Sequence, residues 1–352
     1  MSKSPNSEEN DYSHLKELEN CKLCAWRCGV DRLAGELGTC GTTLPVIASC
    51  QLHPAPPESY TIFTAGCNFK CLQCQNWEIA HAFSRSQVKT SFRGFVDPER
   101  LAKISVAQLK SSMAKMMGAD RIFFSGGEPT IHLPYIEQLI HHASNQEPDI
   151  KVNFDTNGFL TPASFQRVLE FTTSITYDLK AFSNEVHRSL TGAENEPILR
   201  NAEALAKNAP EKLWEFRIVP IPRIVDLTEI ESLCEFIADL SPDLPVSFLA
   251  FRPNFVLDTY VGASSQFIAE MVEIARKSGL ENVTGVGFPG IPGAMPDIIN
   301  NFPYKNEYSQ KNARLAGEAA FNAGCKTHPR YCGKCKKKLS CPLRSYIPTR
   351  VT

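Results

Sequence analysis

Six short runs rich in β-branched and aromatic residues punctuate the middle of the chain. They are SYTIFTAG (59–66), DRIFFSGG (120–127), IKVNFDTNG (150–158), SITYDLKA (174–181), LWEFRIVPI (213–221) and VSFLAFRPN (246–254). Between them lie longer stretches such as DPERLAKISVAQLKSSMAKMM and NAEALAKNAP, good helix formers with apolar residues at three- and four-residue spacing. Strands alternating with amphipathic helices predict an α/β fold in which helices cover a parallel sheet. The runs end in Gly, Cys, Asp, Asn, Arg or Pro, residue types that turn a chain or do chemistry. Chemistry at every strand end suits a barrel, where the C-terminal ends of the strands converge on one mouth. The expected architecture is an incomplete (β/α)6 TIM-type barrel. The methionines of SSMAKMMGAD fall at helical spacing and are expected in its core.

Two proline-rich stretches, HPAPPES (53–59) and FPGIPGAMP (288–296), read as joints. They divide the 352 residues into a Cys-rich N-terminal module with a polar leader (1–52), a barrel core (53–287) and a Cys-rich basic C-terminal module (288–352). A net charge of -1 and an ordinary hydrophobic share point neither to nucleic acid nor to a membrane. The polar N-terminus lacks the apolar segment of an export signal, and no apolar run approaches the length of a membrane span. We therefore expect a cytosolic protein.

That expectation changes the meaning of the thirteen cysteines. Cys21, Cys24, Cys28 and Cys40 form one group, Cys67, Cys71 and Cys74 a second, and Cys325, Cys332, Cys335 and Cys341 a third, while Cys50 and Cys234 stand apart. An odd number of thiols in a large chain without an export signal argues against a disulfide framework. Thiols grouped two or three residues apart in a reducing compartment are metal ligands first. The two isolated cysteines are expected in the core.

The central group is the informative one. In "CNFKCLQC" (67–74) three thiols follow the first strand and no fourth accompanies them. Three thiolates can hold three irons of a 4Fe–4S cube and leave the fourth open to an external molecule, which is how catalytic metal sites differ from closed structural ones. A zinc site completed by a distant His or Cys is the alternative.

With "SGGEPT" one strand later, "TAGCNFKCLQCQNWEIAH" resembles the radical S-adenosylmethionine (SAM) enzymes. Within them it is most similar to the activating enzymes of glycyl radical enzymes and their pyruvate formate-lyase-activating-like relatives, whose N-terminal segment "CKLCAWRCGVDRLAGELGTCG" also resembles. The resemblance implies that Cys67, Cys71 and Cys74 ligate a 4Fe–4S cluster and that SAM chelates its open iron. It implies that Ser125, Gly126, Gly127 and Glu128 receive the SAM amino group, with glycines for close backbone approach and a carboxylate for an ammonium. "DTNG" (155–158) and "YDLK" (177–180) match two further strand ends. By resemblance Asp155, Thr156 and Asp178 would hold a monovalent cation beside the SAM carboxylate, with Lys180 also there and Arg217 near the ribose. Two carboxylates at an anionic ligand would repel it unless a cation intervenes. Two positions depart from the pattern: Gln73 stands where an aromatic residue is usual, and Arg252 where the activating enzymes carry a His.

The implied activity is one-electron cleavage of SAM to a 5′-deoxyadenosyl radical that abstracts hydrogen, with flavodoxin or ferredoxin as donor and a glycine of a partner protein as substrate. Modification of another protein residue, an RNA base or a metabolite is the alternative within enzymes. A non-catalytic Fe–S electron carrier or zinc scaffold is the alternative outside them, and a SAM pocket argues against it. The first cysteine group can hold zinc or a second Fe–S cluster, and we expect Fe–S. The last, with His328 nearby, can be a zinc knuckle or an auxiliary cluster. After Glu318 the chain is basic without an acidic residue (Lys326, Arg330, Lys334, Lys336, Lys337, Lys338, Arg344, Arg350), either a solvated face or a docking patch for an acidic protein or RNA.

Overall fold

All six apolar runs become strands, and the sheet they form has a neighbour at each end. In the computed structural model, which describes residues 13–81, 93–257, 260 and 262–286, the strands are β1 (Ile47–His53), β2 (Ser59–Thr64), β3 (Arg121–Gly126), β4 (Lys151–Thr156), β5 (Ser174–Leu179), β6 (Leu213–Ile218), β7 (Val246–Leu249) and β8 (Val283–Val286). Their spatial order is their chain order; β1 runs antiparallel to β2, and every other neighbouring pair is parallel. The order never reverses, so there is no switch point of the doubly wound kind, and crossovers of one hand wind the sheet as a barrel wall. The expected six strands are thus β2 to β7. The structure adds β1 and β8, and the stretch 53–59 read as a joint is the turn of the β1–β2 hairpin.

Helices α1 (Trp77–Ala80), α2 (Pro98–Leu109), α3 (Ser112–Met117), α4 (Leu133–Gln146), α5 (Pro162–Phe171), α6 (Asn184–Thr191), α7 (Glu196–Asn208), α8 (Leu227–Leu240) and α9 (Ser265–Lys277) fill the crossovers. Several starts are written in the local sequence. Asp97, Thr161 and Ser183 each accept the N–H three residues on, from Arg100, Ser164 and Val186, and Pro98 and Pro162 occupy first helical positions. Among the described residues no helix is long and apolar enough to cross a membrane.

The strands largely alternate between an apolar and a more polar face. Ile122, Phe124, Val152, Phe154, Ile175, Tyr177, Phe216 and Phe248 are buried toward the helices, and Phe124 and Phe154 meet at 5.3 Å between ring centroids. The opposite face carries Phe123 and Leu249 but is otherwise rich in polar groups: Ser174 Oγ donates to Asn153 Oδ1 at 2.5 Å, and Arg121 donates to Ser174 Oγ at 3.0 Å. The same polar face carries the strand-end residues of the candidate site. Leu15, Leu18 and Leu23, from the N-terminal segment, join the barrel's single large core.

Cys234 is buried in that core as expected, whereas Cys50 on β1 is half-buried against it. The methionines correct the sequence reading. Met113 and Met116 are 51% and 75% exposed, because the 97–117 stretch breaks at Lys110–Ser111 and the short α3 buries Ala114 instead. The third cysteine group and the basic tail lie outside the described residues.

Candidate active site

A cavity of about 870 Å³, its open mouth included, lies at the C-terminal strand ends. Its wall brings together Cys67, Cys71 and Cys74 after β2, Ser125 to Glu128 at β3, Asp155 of β4, Asp178 and Lys180 of β5, and Arg217 of β6. Of the residues expected there, Thr156 alone is not on the wall, and it acts through Glu128, as described below.

The thiol loop is pinned on several sides. Lys70 N and Leu72 N donate to Thr191 and Leu190 carbonyls at the end of α6, and Val256 N donates to Leu72 O. Asn76 Nδ2 donates to Gly126 O at 3.0 Å and ties the loop to β3. Phe69 N–H donates to Cys67 Sγ at 3.3 Å. Burial pushes the Cys71 and Cys74 thiols up to about 12 and Cys67 further still, and the sulfurs raise one another. Lys180 acts in the opposite sense at Cys71, as Lys70 does at Cys67. Thiols so desolvated become thiolates only when a metal group takes up their charge. Three sulfurs facing one cavity, an N–H donor to sulfur and nearby ammonium groups fit a three-thiolate 4Fe–4S cluster with one open position.

The glycines of SGGEP are required by the protein's own backbone. A Cβ on Gly127 would meet Gly66 O at 1.9 Å, and one on Gly126, where φ is +123°, would meet Thr64 O at 2.2 Å. Gly127 N and Glu128 N donate across this close approach to Thr64 O and Gly66 O, both at 2.9 Å. The same glycines therefore set the position of the thiol loop that begins at Gly66.

Glu128 is buried beneath the cavity. Its Oε1 accepts from Thr130 Oγ1 (2.6 Å), Thr130 N (3.2 Å) and Thr156 Oγ1 (2.8 Å), while among the described residues Oε2 accepts only Asn157 N (2.8 Å). Burial lifts this carboxyl to about 7, against the pull of those hydrogen bonds. Oε2 retains acceptor capacity on the cavity side.

Across the mouth two aspartates have side-chain cations of their own. Lys180 Nζ donates to Asp178 Oδ2 at 2.6 Å, Arg217 reaches Asp155 Oδ1 at 3.4 Å, and Ser125 Oγ donates to Asp155 Oδ2 at 2.8 Å. Burial raises the Asp155 carboxyl, which Arg217 pulls back. The negative charge with which the two carboxylates would repel an anionic ligand is thus countered by cations of the chain itself.

Gln73 is buried on the cavity wall, and its Oε1 has no hydrogen-bond partner among the described residues. An amide there replaces the aromatic ring's stacking face with polar atoms. Arg252 is exposed beyond β7 and is not part of the wall.

Sequence reasoning passed over two asparagines. Asn157 Nδ2 donates to Asn68 Oδ1 at 2.8 Å and reaches Cys67 Sγ at 4.0 Å, joining the β4 end to the thiol loop. Both sit inside quoted motifs, as the N of DTNG and the residue after Cys67, so the signal was adjacency to a ligand.

The first cysteine group also comes together. Cys21, Cys24, Cys28 and Cys40 line a second, smaller cavity with Arg32, Gly38 and Ile131. Burial raises the Cys24 thiol, and Cys40, Cys28 and Cys21 add to the rise. No disulfide joins the described cysteines.

The chain resembles known proteins over much of this region. The Radical SAM superfamily model matches residues 61–237. An uncharacterized protein of Methanocaldococcus jannaschii is 26% identical over 274 residues, 75% of this chain and 76% of that one. A second M. jannaschii protein, assigned by name to the glycyl-radical enzyme activating enzymes, is 28% identical over 200 residues, 55% of this chain and 67% of its own length. The pyruvate formate-lyase-activating enzyme of Staphylococcus epidermidis is likewise 28% identical over 200 residues, 53% of this chain and 71% of that one.

Proposed function

The chain belongs to the radical SAM superfamily, and from that premise we propose an enzyme of the activating type, which draws hydrogen from a glycine Cα of a partner protein. The observation that supports it is the shared wall of three cluster-type thiols and an acidic, glycine-lined strand end in one cavity. When bound there, a 4Fe–4S cluster and SAM supply one-electron cleavage of the sulfonium and a 5′-deoxyadenosyl radical.

The chain's own part is positioning. Cys67, Cys71 and Cys74 would hold the cluster. Glu128 would offer Oε2 to the SAM ammonium while Thr130 and Thr156 keep Oε1 occupied and fix the carboxylate. Lys180, held by Asp178, would meet the SAM carboxylate, and Arg217, held by Asp155 and Glu215, would meet the ribose. Val219 and Leu249 close the wall with apolar surface, which keeps water and competing hydrogen donors away. A low-potential flavodoxin or ferredoxin would deliver the electron.

Named relatives among the activating enzymes favour a protein substrate. Anaerobically reconstituted chain, reduced with dithionite, should convert SAM to 5′-deoxyadenosine and methionine. Mixed with a glycyl radical enzyme encoded beside it, the reduced chain should raise a glycyl radical signal in electron paramagnetic resonance. SAM cleavage without such a signal on any glycyl radical enzyme redirects the substrate to another residue, base or metabolite.

A further inference from the structure

The four N-terminal thiols surround a cavity that the reaction at the barrel mouth does not use. Cys28 Sγ accepts Thr39 N–H at 3.5 Å and lies the same distance from Thr39 Oγ1. Cys21 Sγ accepts Arg32 Nη1 at 3.7 Å. Hydrogen bonds of this kind to sulfur stabilise metal-bound thiolates.

Arg32 is the second observation. It is 1% exposed, and its other donors go to Thr43 O (2.9 Å), Ile131 O (2.6 Å) and His132 Nδ1 (3.3 Å), all neutral acceptors. His132 Nε2 lies 2.9 Å from Ala65 O, which makes Nε2 the protonated nitrogen and Nδ1 the acceptor. Among the described residues no carboxylate pairs with Arg32. A buried guanidinium without an anion costs several kcal/mol, and an anionic metal–thiolate group in the adjoining cavity removes that cost.

Four thiolates suit zinc and a 4Fe–4S cluster alike, and what separates the two is the connection of this set to the thiols at the barrel mouth.

The two sets are also wired together. Trp26, two residues after Cys24, donates its indole N–H to Asn68 O at 2.9 Å, and Asn68 follows Cys67. Its ring packs on Phe159 at 5.3 Å, which packs on Phe69 at the same distance. On the other side Arg32 reaches Ala65 through His132. A short run of covalent bonds and one hydrogen bond thus joins the Cys24 sulfur to the Cys67 main chain.

We propose that Cys21, Cys24, Cys28 and Cys40 hold a fully ligated 4Fe–4S cluster that relays single electrons through Trp26 and Asn68 to the active-site cluster. The relay rests on the radical SAM reading; the second cluster does not. With four protein ligands it has no open iron for a substrate, so its use is electron storage and transfer. In each cycle one electron leaves a reduced low-potential donor protein, resides on this cluster and passes on, returning it to its oxidised state with no bond made or broken. Arg32 beside it favours the more negative, reduced form.

The test uses full-length chain with Cys332→Ser and Cys335→Ser, which takes the C-terminal group out of the count. After anaerobic reconstitution it should carry about eight irons per chain and no zinc. About four irons with one zinc would overturn the proposal without touching the radical SAM reading. Adding Cys24→Ser and Cys28→Ser should remove about four irons and leave the SAM-responsive paramagnetic signal. Trp26→Phe keeps every thiol, so its iron count should not change. It should lose the fast phase in which reduced flavodoxin, used as the probe donor, reduces the active-site cluster, while reduction by dithionite persists. Flavodoxin kinetics unchanged in Trp26→Phe would sink the relay. Absence of SAM cleavage in a chain that still holds eight irons would instead sink the proposed function.

Discussion

Thr156 Oγ donates to Glu128 Oε1 at 2.8 Å and so fastens the end of β4 to the end of β3 directly beneath the candidate SAM site. Thr156 is fully buried off the wall, and its contribution to ligand binding runs through the carboxylate it holds. Thr156→Val should destabilise the folded chain by about 1 kcal/mol, the net worth of a buried hydrogen bond, and should also weaken SAM binding. Thr156→Ser should restore both, as read by denaturant unfolding and calorimetry. Unaltered SAM affinity in Thr156→Val would separate Glu128 from the ligand.

Glu128 gives the apo chain a pH dependence of defined sign. Its folded value of about 7 lies above the ordinary 4.5. A carboxyl raised on folding contributes stability that is fully present below the ordinary value and is lost as pH rises through the folded one. Compared with Glu128→Gln, wild type should therefore gain stability on acidification from pH 8 toward 4.5, by at most about 3 kcal/mol. Parallel unfolding curves for the two proteins across that range would show that the carboxyl is not buried as described.

Removing one cluster thiol should abolish the chemistry and spare the barrel. Cys71→Ala leaves two thiolates, which cannot hold the cube, and Cys71 contributes no strand to the sheet. Formation of 5′-deoxyadenosine should vanish while far-ultraviolet circular dichroism stays as in wild type. Wild-type turnover under dithionite would refute the assignment of the loop.

Gly127→Ala tests whether the strand-end glycine serves the protein or only the ligand. The added Cβ must displace Gly66 O, one residue before Cys67, so cluster occupancy itself should fall. Iron content per chain and the cluster's visible absorbance read this without SAM present. Full iron loading with weakened SAM binding would mean that the glycine matters for ligand approach alone.

The barrel and its cavity were legible because their signals are local. Alternating apolar runs mark β2 to β7, and the ligand types at their ends mark the mouth. What escaped was set by neighbours far along the chain. IASCQLH (47–53) carries a cysteine and a histidine and half-exposed positions, and becomes β1 only by pairing with β2 across the turn. VTGV (283–286) is four residues long with a glycine, whose missing Cβ leaves room for Ile268 of α9. Met113 and Met116 share the spacing of core residues, yet Ser111 caps a new short helix and turns them outward. Asn68 and Asn157 carry no motif of their own, and only the fold sets them against each other.

The last expectation concerns what neutralises the two aspartates at the mouth. Resemblance implied a monovalent cation between Asp155, Thr156 and Asp178, yet Lys180 stands 2.6 Å from Asp178 and Arg217 stands 3.4 Å from Asp155. Thr156 is turned to Glu128 instead. Burial works against the Lys180 ammonium, but Asp178 beside it carries its pKa above the ordinary value, so it stays charged at every pH at which the protein is handled. If these side chains do the work of the ion, wild-type SAM affinity should change little when K⁺ is replaced by choline. Lys180→Met should then weaken SAM binding by about tenfold, the loss of one charge-assisted hydrogen bond, and should make affinity depend on K⁺ as Asp178 loses its partner. Asp178→Asn in the same background should remove that new dependence. Strong K⁺ dependence in the wild type would restore the ion to the site and leave Lys180 as a ligand of Asp178 alone.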